Sequence, residues 1–219
     1  MKPSALTRRE VVARCIGNGL LVAGVSLSGQ QVLAAWQQIE SDALKPRKTP
    51  LAPTPGEQIG PFFRKGAPNR ADLRRPGDAG LPLRVTGHVF NTRGERLPQA
   101  RIDVWQTDTA GHYDLDGYRY RAKLSVGETS AYVLETVMPG RYDLRPVQHI
   151  HYLVTAPGHK TLVTQAYFAT DPWFAGDPAR NFNKGNLLDN RELVRPVTML
   201  GPGAGARAAI TFDLVLEKA

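Results

Sequence analysis

"LRVTGHVFNTRGERLPQARIDVWQTD", Leu83 to Asp108, is the stretch that decides the fold. Its first segment alternates, with Leu83, Val85, Gly87 and Val89 on one side and Arg84, Thr86 and His88 on the other. Successive side chains of a strand point to opposite faces, so this pattern predicts a strand with one face in a core. "TRGERLPQA" reads as a turn, because Gly and Pro supply the backbone angles that reverse a chain. "RIDVWQTD" then sets Ile102, Val104 and Gln106 against Asp103, Trp105 and Thr107. For Asp103 and Trp105 a core or edge role is the expectation.

Further segments of the same kind follow. "AYVLETV" (Ala131–Val137), "HIHYLVTA" (His149–Ala156), "TLVTQAYF" (Thr161–Phe168) and "ARAAITFDLVLE" (Ala206–Glu217) are short strand patterns separated by Gly, Pro and Asp clusters. With 21 glycines and 17 prolines in 219 residues, and no strand–helix alternation, the chain reads as all-β. The expected architecture is an antiparallel β-sandwich over residues 83–219, with a long polar loop at Asp171–Arg195. Residues 36–82 carry many Pro, Gly, Arg and Lys without a period and read as an extended arm. Its segment "TPGEQIGPFF" (Thr54–Phe63) has apolar residues able to tuck under the domain. Such an arm can wrap its own chain or a second copy, which allows a homo-oligomer.

The N-terminus has a different character. "TRREVV" (Thr7–Val12) places twin arginines before an apolar run from Ile16 to Leu27, and small residues follow at Ala34 and Ala35. This order predicts a twin-arginine export signal over residues 1–35, with the export machinery as partner and a periplasmic or secreted destination. Lys2, Arg8, Arg9 and Arg14 against Glu10 place three of the eight net positive charges there. The modest remainder forms no basic run with interleaved aromatics, so nucleic acid is not an expected partner. The lone Cys15 excludes an internal disulfide framework.

Two of the five histidines, His149 and His151, stand one residue apart on a predicted strand. Positions i and i+2 share a face roughly 6.5–7 Å apart, close enough for both imidazoles to reach one metal ion. Tyr113 and Tyr142 each follow a glycine-containing turn, at strand ends. Each alone reads as a core-capping aromatic, whereas the pair beside His-Ile-His points to a mixed phenolate–imidazole site. Zinc seldom takes phenolate and calcium prefers carboxylates and carbonyls. Ferric iron is hard enough to keep a phenol ionised although its free pKa is ~10.

At these residues the chain resembles the intradiol ring-cleavage dioxygenases, a family that includes catechol 1,2- and protocatechuate 3,4-dioxygenases. The resemblance runs from about Leu83 to Pro172 and rests on "ARIDVWQTDTAGHYD", "ETVMPGRYDLRPVQHIHYLVTAPG" and "LVTQAYFATDP". It implies Tyr113, Tyr142, His149 and His151 as ligands of Fe(III). It implies Arg145 as the arginine stabilising negative charge on the ring, and Gln165 as the glutamine facing the iron. The implied substrates are a small catecholic aromatic and O2, and the implied product is a cis,cis-muconate-type diacid. One of the two tyrosines would also accept a proton from the substrate. Arg145 stands one residue further from the first histidine than in the family pattern, which implies a small bulge at Val147 or Gln148. Tyr118 and Tyr120 are the substitute ligands if Tyr113 is not one. Arg119, Arg121 and Arg141 would suit a carboxylated ring, or else form a solvated surface. Catechol, hydroxyquinol, a protocatechuate-like acid and lignin-derived fragments all remain open as substrates.

Two rival readings use the same residues. "VTGHVFNTRGERLPQARIDVWQTDTAGHYD" also resembles a transthyretin-like, carboxypeptidase-regulatory-like binding module without chemistry. A metal-binding protein using His149 and His151 alone is the other.

Overall fold

β1 (Pro82–Asn91) buries Leu83, Val85, Gly87 and Val89 and turns Arg84 outward, following the alternation of its sequence. It is the spine of the first sheet. The molecule is described by a computed structural model covering residues 50–142, 145–172, 190–201 and 203–219. The expected export segment 1–35 and residues 36–49 of the arm lie outside these, as does 173–189 of the expected long loop.

β2 (Arg101–Trp105), β3 (Arg121–Ser125), β4 (Ala131–Val137), β5 (His149–Thr155) and β6 (Leu162–Phe168) follow in order. Then come a 3-10 turn (Arg191–Leu193), β7 (Val194–Arg195), β8 (Thr198–Leu200), β9 (Arg207–Thr211) and β10 (Leu214–Leu216). One sheet runs β10-β1-β9-β8, with β4 on the other edge of β1, and the second runs β3-β2-β5-β6-β7. The all-β sandwich expected from the alternation is the observed architecture. Its sheets are mixed, since β1 pairs parallel with β9 and β10, and β6 pairs parallel with β7.

The tail expected as one strand, Ala206–Glu217, is two strands broken at Phe212–Asp213. The reason is local. Thr86 accepts the Phe212 amide at 2.8 Å, and the Asp213 carboxylate takes the His88 amide at 2.9 Å. Side chain replaces backbone for one pairing step, and the chain then resumes along β1 as β10. Gly87 is required here, because a Cβ would sit 2.1 Å from the Phe212 carbonyl oxygen.

The core lies between the sheets. Ile150, Tyr152 and Val154 of β5 point into it, fully buried, against Val85, Leu134, Ile210, Phe212 and Leu214. At about 1.5–3 kcal/mol per large apolar side chain buried, this face sets the register of β5. His149 and His151 therefore face the other way, off the outside of the second sheet. They are nonetheless 1% and 2% exposed, because the arm at Gly60 lies against His151 and the rings of Tyr142 and Tyr167 lie against His149. The arm is stitched across the sandwich. Thr54 N donates to Val215 O, Glu57 N to Val163 O, Thr164 Oγ1 to Pro55 O, and Gln165 Nε2 to Gln58 O.

Candidate active site

Strand register assembles one wall of the site. Trp105 lies opposite His151 across β2–β5, and Gln165 lies opposite His151 across β5–β6. Tyr167 lies opposite His149. The Trp105 and His151 rings stack at 4.7 Å and 5°. Trp105, expected in a core or edge role, is buried and forms the floor under a candidate ligand.

Loops bring in the tyrosines. Residues 108–113 and 139–142 touch backbone to backbone through two glycines. A Cβ on Gly111 would lie 1.9 Å from Arg141 O, and one on Gly140 would lie 2.3 Å from Gly111 N. Gly111 also has φ +90°, open to glycine and strained for other residues. Gly140 N donates to Asp108 O at 2.7 Å, and Thr107 Oγ1 donates to Gly140 O at 2.9 Å. The result is Tyr113 and Tyr142 edge to face, with ring centroids 5.7 Å apart.

The four predicted residues meet. Tyr113 Oη lies 3.3 Å from His149 Nε2 and 3.1 Å from His151 Nε2. The Tyr142 ring is 5.9 Å from that of His149. His149 Nδ1–H donates to Val147 O at 2.7 Å, which leaves Nε2 as an acceptor for the Tyr113 hydroxyl. Tyr113 has one proton, so His151 Nε2–H must donate to Tyr113 Oη. His151 Nδ1 is buried without a hydrogen-bond partner among the described residues.

Burial and charge set the protonation states. Burial holds the His149 imidazole down to about 4, and Arg145 pushes the same way against the Val147 carbonyl. His151 is held well below its ordinary value by burial, then by His149, Arg145 and Arg121. Both imidazoles are neutral at neutral pH, as metal ligation requires. Burial also raises the Tyr113 phenol, with Tyr142 adding to it, and burial raises the Tyr142 phenol. Ionising these phenols needs a strong positive charge among them. Two neutral imidazoles and two phenols, with no carboxylate, form a donor set suited to a hard, highly charged cation. Among the described residues no group of three or more His, Cys, Asp or Glu offers a metal an alternative.

Arg145 Nη1 donates to Gln165 Oε1 and to Tyr167 Oη, and Tyr167 Oη donates to Gln165 Oε1 at 3.0 Å. Gln165 is thus committed at both ends, to Arg145 and to the arm carbonyl of Gln58. It fixes the direction of the guanidinium. Val147 and Gln148, where a bulge was expected, lie before β5 begins. Val147 is fully buried, and Gln148 is held by Asp171 through its amide at 2.6 Å and by Pro139 O through its side chain at 2.8 Å.

Neither alternative tyrosine reaches the site. The Tyr118 hydroxyl donates to Lys65 O, and Tyr120 is buried under the Arg119 guanidinium. The three arginines considered for a carboxylated ring have other partners. Arg119 pairs with Asp78 and Arg141 with Asp171, while Arg121 donates to Phe62 O and Asp114 O.

Sequence reasoning missed the arm's share of the site. Phe62 stacks on Tyr113 at 4.3 Å and 18°, and Phe63 packs on Trp105 at 4.9 Å. A Cβ on Gly60 would meet His151 Cε1 at 3.5 Å, and Glu57 lies 3.8 Å from Arg145. The signal available was the apolar "IGPFF" in a segment otherwise lacking pattern.

The family model described as Dioxygenase matches residues 59–218, which holds every residue placed above except Glu57 and the first part of the arm. The chain belongs to the intradiol ring-cleavage dioxygenase family. This family member is 30% identical over 195 residues to a catechol 1,2-dioxygenase of Acinetobacter baylyi, spanning 75% of this chain and 62% of that protein. It is 30% identical over 228 residues to a hydroxyquinol 1,2-dioxygenase of Nocardioides simplex, spanning 91% of this chain and 73% of that one. The dioxygenase domain of a dioxygenase–carbohydrate-binding fusion from Streptomyces sp. SirexAA-E superposes with TM-score 0.65 at 36% identity, covering 77% of this chain and 100% of that domain. The rival readings, a binding module or a site of His149 and His151 alone, give Tyr113 no reason to lie between the imidazoles of this dioxygenase-family chain.

Proposed function

We propose that the protein is a ferric intradiol dioxygenase that opens a small catechol between its two hydroxylated carbons to give a cis,cis-muconate-type diacid. The observation that supports this reading most is the placement of Tyr113 Oη within 3.3 Å of both imidazole Nε2 atoms, in a site made of neutral donors. Tyr113, Tyr142, His149 and His151 would hold the ion. A bound ferric ion would supply Lewis acidity and the electronic coupling that makes a catechol ring reactive to O2.

The chain's own groups have definite work around that chemistry. A catechol binding as its dianion must release two protons, and Tyr113 or Tyr142 would be the base within the site able to accept one of them. Arg145, aimed by Gln165 and Tyr167, presents a fixed positive charge where negative charge builds on the ring, in a site with little water. Phe62 and Trp105, stacked on Tyr113 and His151, exclude water and limit ring motion. Both oxygen atoms of O2 enter the product as one ring carbon–carbon bond breaks, so no external reductant is required.

The test is turnover of catechol under isotopically labelled dioxygen. The reading expects one acyclic diacid carrying both labelled atoms. A product cleaved beside the diol, or carrying no label, contradicts it. We also propose export by the twin-arginine route, supported by the order of charged, apolar and small residues over 1–35. Replacing Arg8 and Arg9 by lysine should leave the protein in the cytoplasm, and unaltered export would refute the route.

A further inference from the structure

Glu57 is a carboxylate placed inside the site by the arm. Its side chain is 7% exposed, and its Oε2 lies 3.8 Å from Arg145 Nη2. The position is fixed by backbone, because Glu57 N donates to Val163 O at 2.8 Å on β6, the strand paired with the β5 strand that carries both histidines. Three residues later Gly60 faces His151, and Phe62 then covers Tyr113. The arm from Glu57 to Phe62 therefore lines the site beside Arg145, His151 and Tyr113.

The charge balance follows from this. Arg145 influences all four proposed ligands electrostatically. Glu57 offsets that positive charge from the arm side. Arg119 and Arg141 pair with Asp78 and Asp171, and Arg121 is turned to the carbonyls of Phe62 and Asp114. A ring carrying its own carboxylate would find no uncommitted cation among these and would meet a buried anion. Opposing the wrong ligand with a like charge is an effective route to specificity.

We propose that Glu57 is a specificity-determining residue that excludes carboxylated rings, so that the substrate class is neutral catechols, the ring bearing hydrogen, hydroxyl or alkyl groups. This rests on the ring-cleaving reading above. The test compares kcat/KM for catechol and for 3,4-dihydroxybenzoate in the iron-loaded protein, in Glu57→Gln and in Glu57→Asp. Wild type should prefer catechol, and Glu57→Gln should move the ratio toward the acid by about tenfold or more. Glu57→Asp keeps the charge and should keep the ratio within about threefold, whatever happens to absolute rates. An unmoved ratio in Glu57→Gln, or a wild-type preference for the acid, overturns the proposal. A measurement on wild type alone covers a variant that fails to fold. The methyl ester of 3,4-dihydroxybenzoate, nearly the same shape without the charge, should be cleaved at least about tenfold better than the acid. Equal rates for ester and acid overturn the role of Glu57 and leave the ring-cleaving function standing. A colourless protein inactive on every catechol overturns both.

Discussion

The site has two halves built by different means. His149, His151 and Gln165 ride on neighbouring strands, where ladder hydrogen bonds and the buried Ile150–Tyr152–Val154 face leave them one orientation. Tyr113, Tyr142 and the arm reach the same point from loops, held by glycine-to-backbone contacts, stacked rings and one buried arginine, Arg121. The strand half is rigid because the core makes it so. The loop half depends on a few close approaches, and it carries the groups that would distinguish this centre from an ordinary two-histidine site.

Removing a ligand from either half should have the largest effect. His151→Ala and Tyr113→Phe should each lower iron retention against a chelator more than the ~10–100-fold typical of residues that only orient ligands. Metal content after dialysis checks this, and Tyr113→Phe in particular separates the proposed centre from a histidine-only site.

Ile150→Ala attacks the strand half from behind. It should cost about 2–5 kcal/mol of stability by opening a cavity, with the iron colour kept in whatever protein folds. Gly111→Ala attacks the loop half. The Cβ has no room beside Arg141 O, and the φ is strained, so about 2–3 kcal/mol of destabilisation is expected. Here the colour should be lost along with stability, because the loop contact positions both tyrosines. Thermal unfolding and visible absorption on the same samples tell the two apart.

Acid titration of the metal-free chain sharpens the contrast further. His149 is held down to about 4 in the fold by burial, so the unfolded chain takes up a proton at higher pH than the folded one. Stability should fall as pH drops below an unfolded value of ~6.5 and level off below the folded value. His151 acts in the same direction. Chemical denaturation across that range checks it, and a flat profile would mean the imidazoles are not buried neutral. The smallest effect is expected for Trp105→Phe, which keeps an aromatic ring on His151 and should leave iron retention within a few-fold, whereas Trp105→Leu removes the ring pair, worth roughly 0.5–1.5 kcal/mol beyond the buried area also lost, and should weaken retention further.

The same division explains what the sequence made legible. Period-two alternation revealed the strands and put His149 and His151 on one face, since that periodicity is the strand's own geometry. Tyr113 and Tyr142 follow no period, being loop residues; their place after glycine-containing turns beside His-Ile-His suggested a phenolate–imidazole site, and the family resemblance then implied them as ligands. Glu57, Gly60 and Phe62 were not found as site residues, since an arm whose amides pair with a distant sheet looks like coil in sequence. Trp105 was read as core or edge because its stacking partner is 46 positions away in the chain, on β5. The break at Phe212–Asp213 was invisible because its cause, the His88 amide, lies far back on β1.

Whether phenolate from the loop half and imidazole from the strand half share one ferric ion is read by a visible spectrum of the ferric-loaded protein, before and after anaerobic addition of catechol. A red-to-purple tyrosinate-to-iron band that shifts when catechol binds is the expected result. A protein that remains colourless after ferric loading, or a band that ignores catechol, would rule the shared centre out.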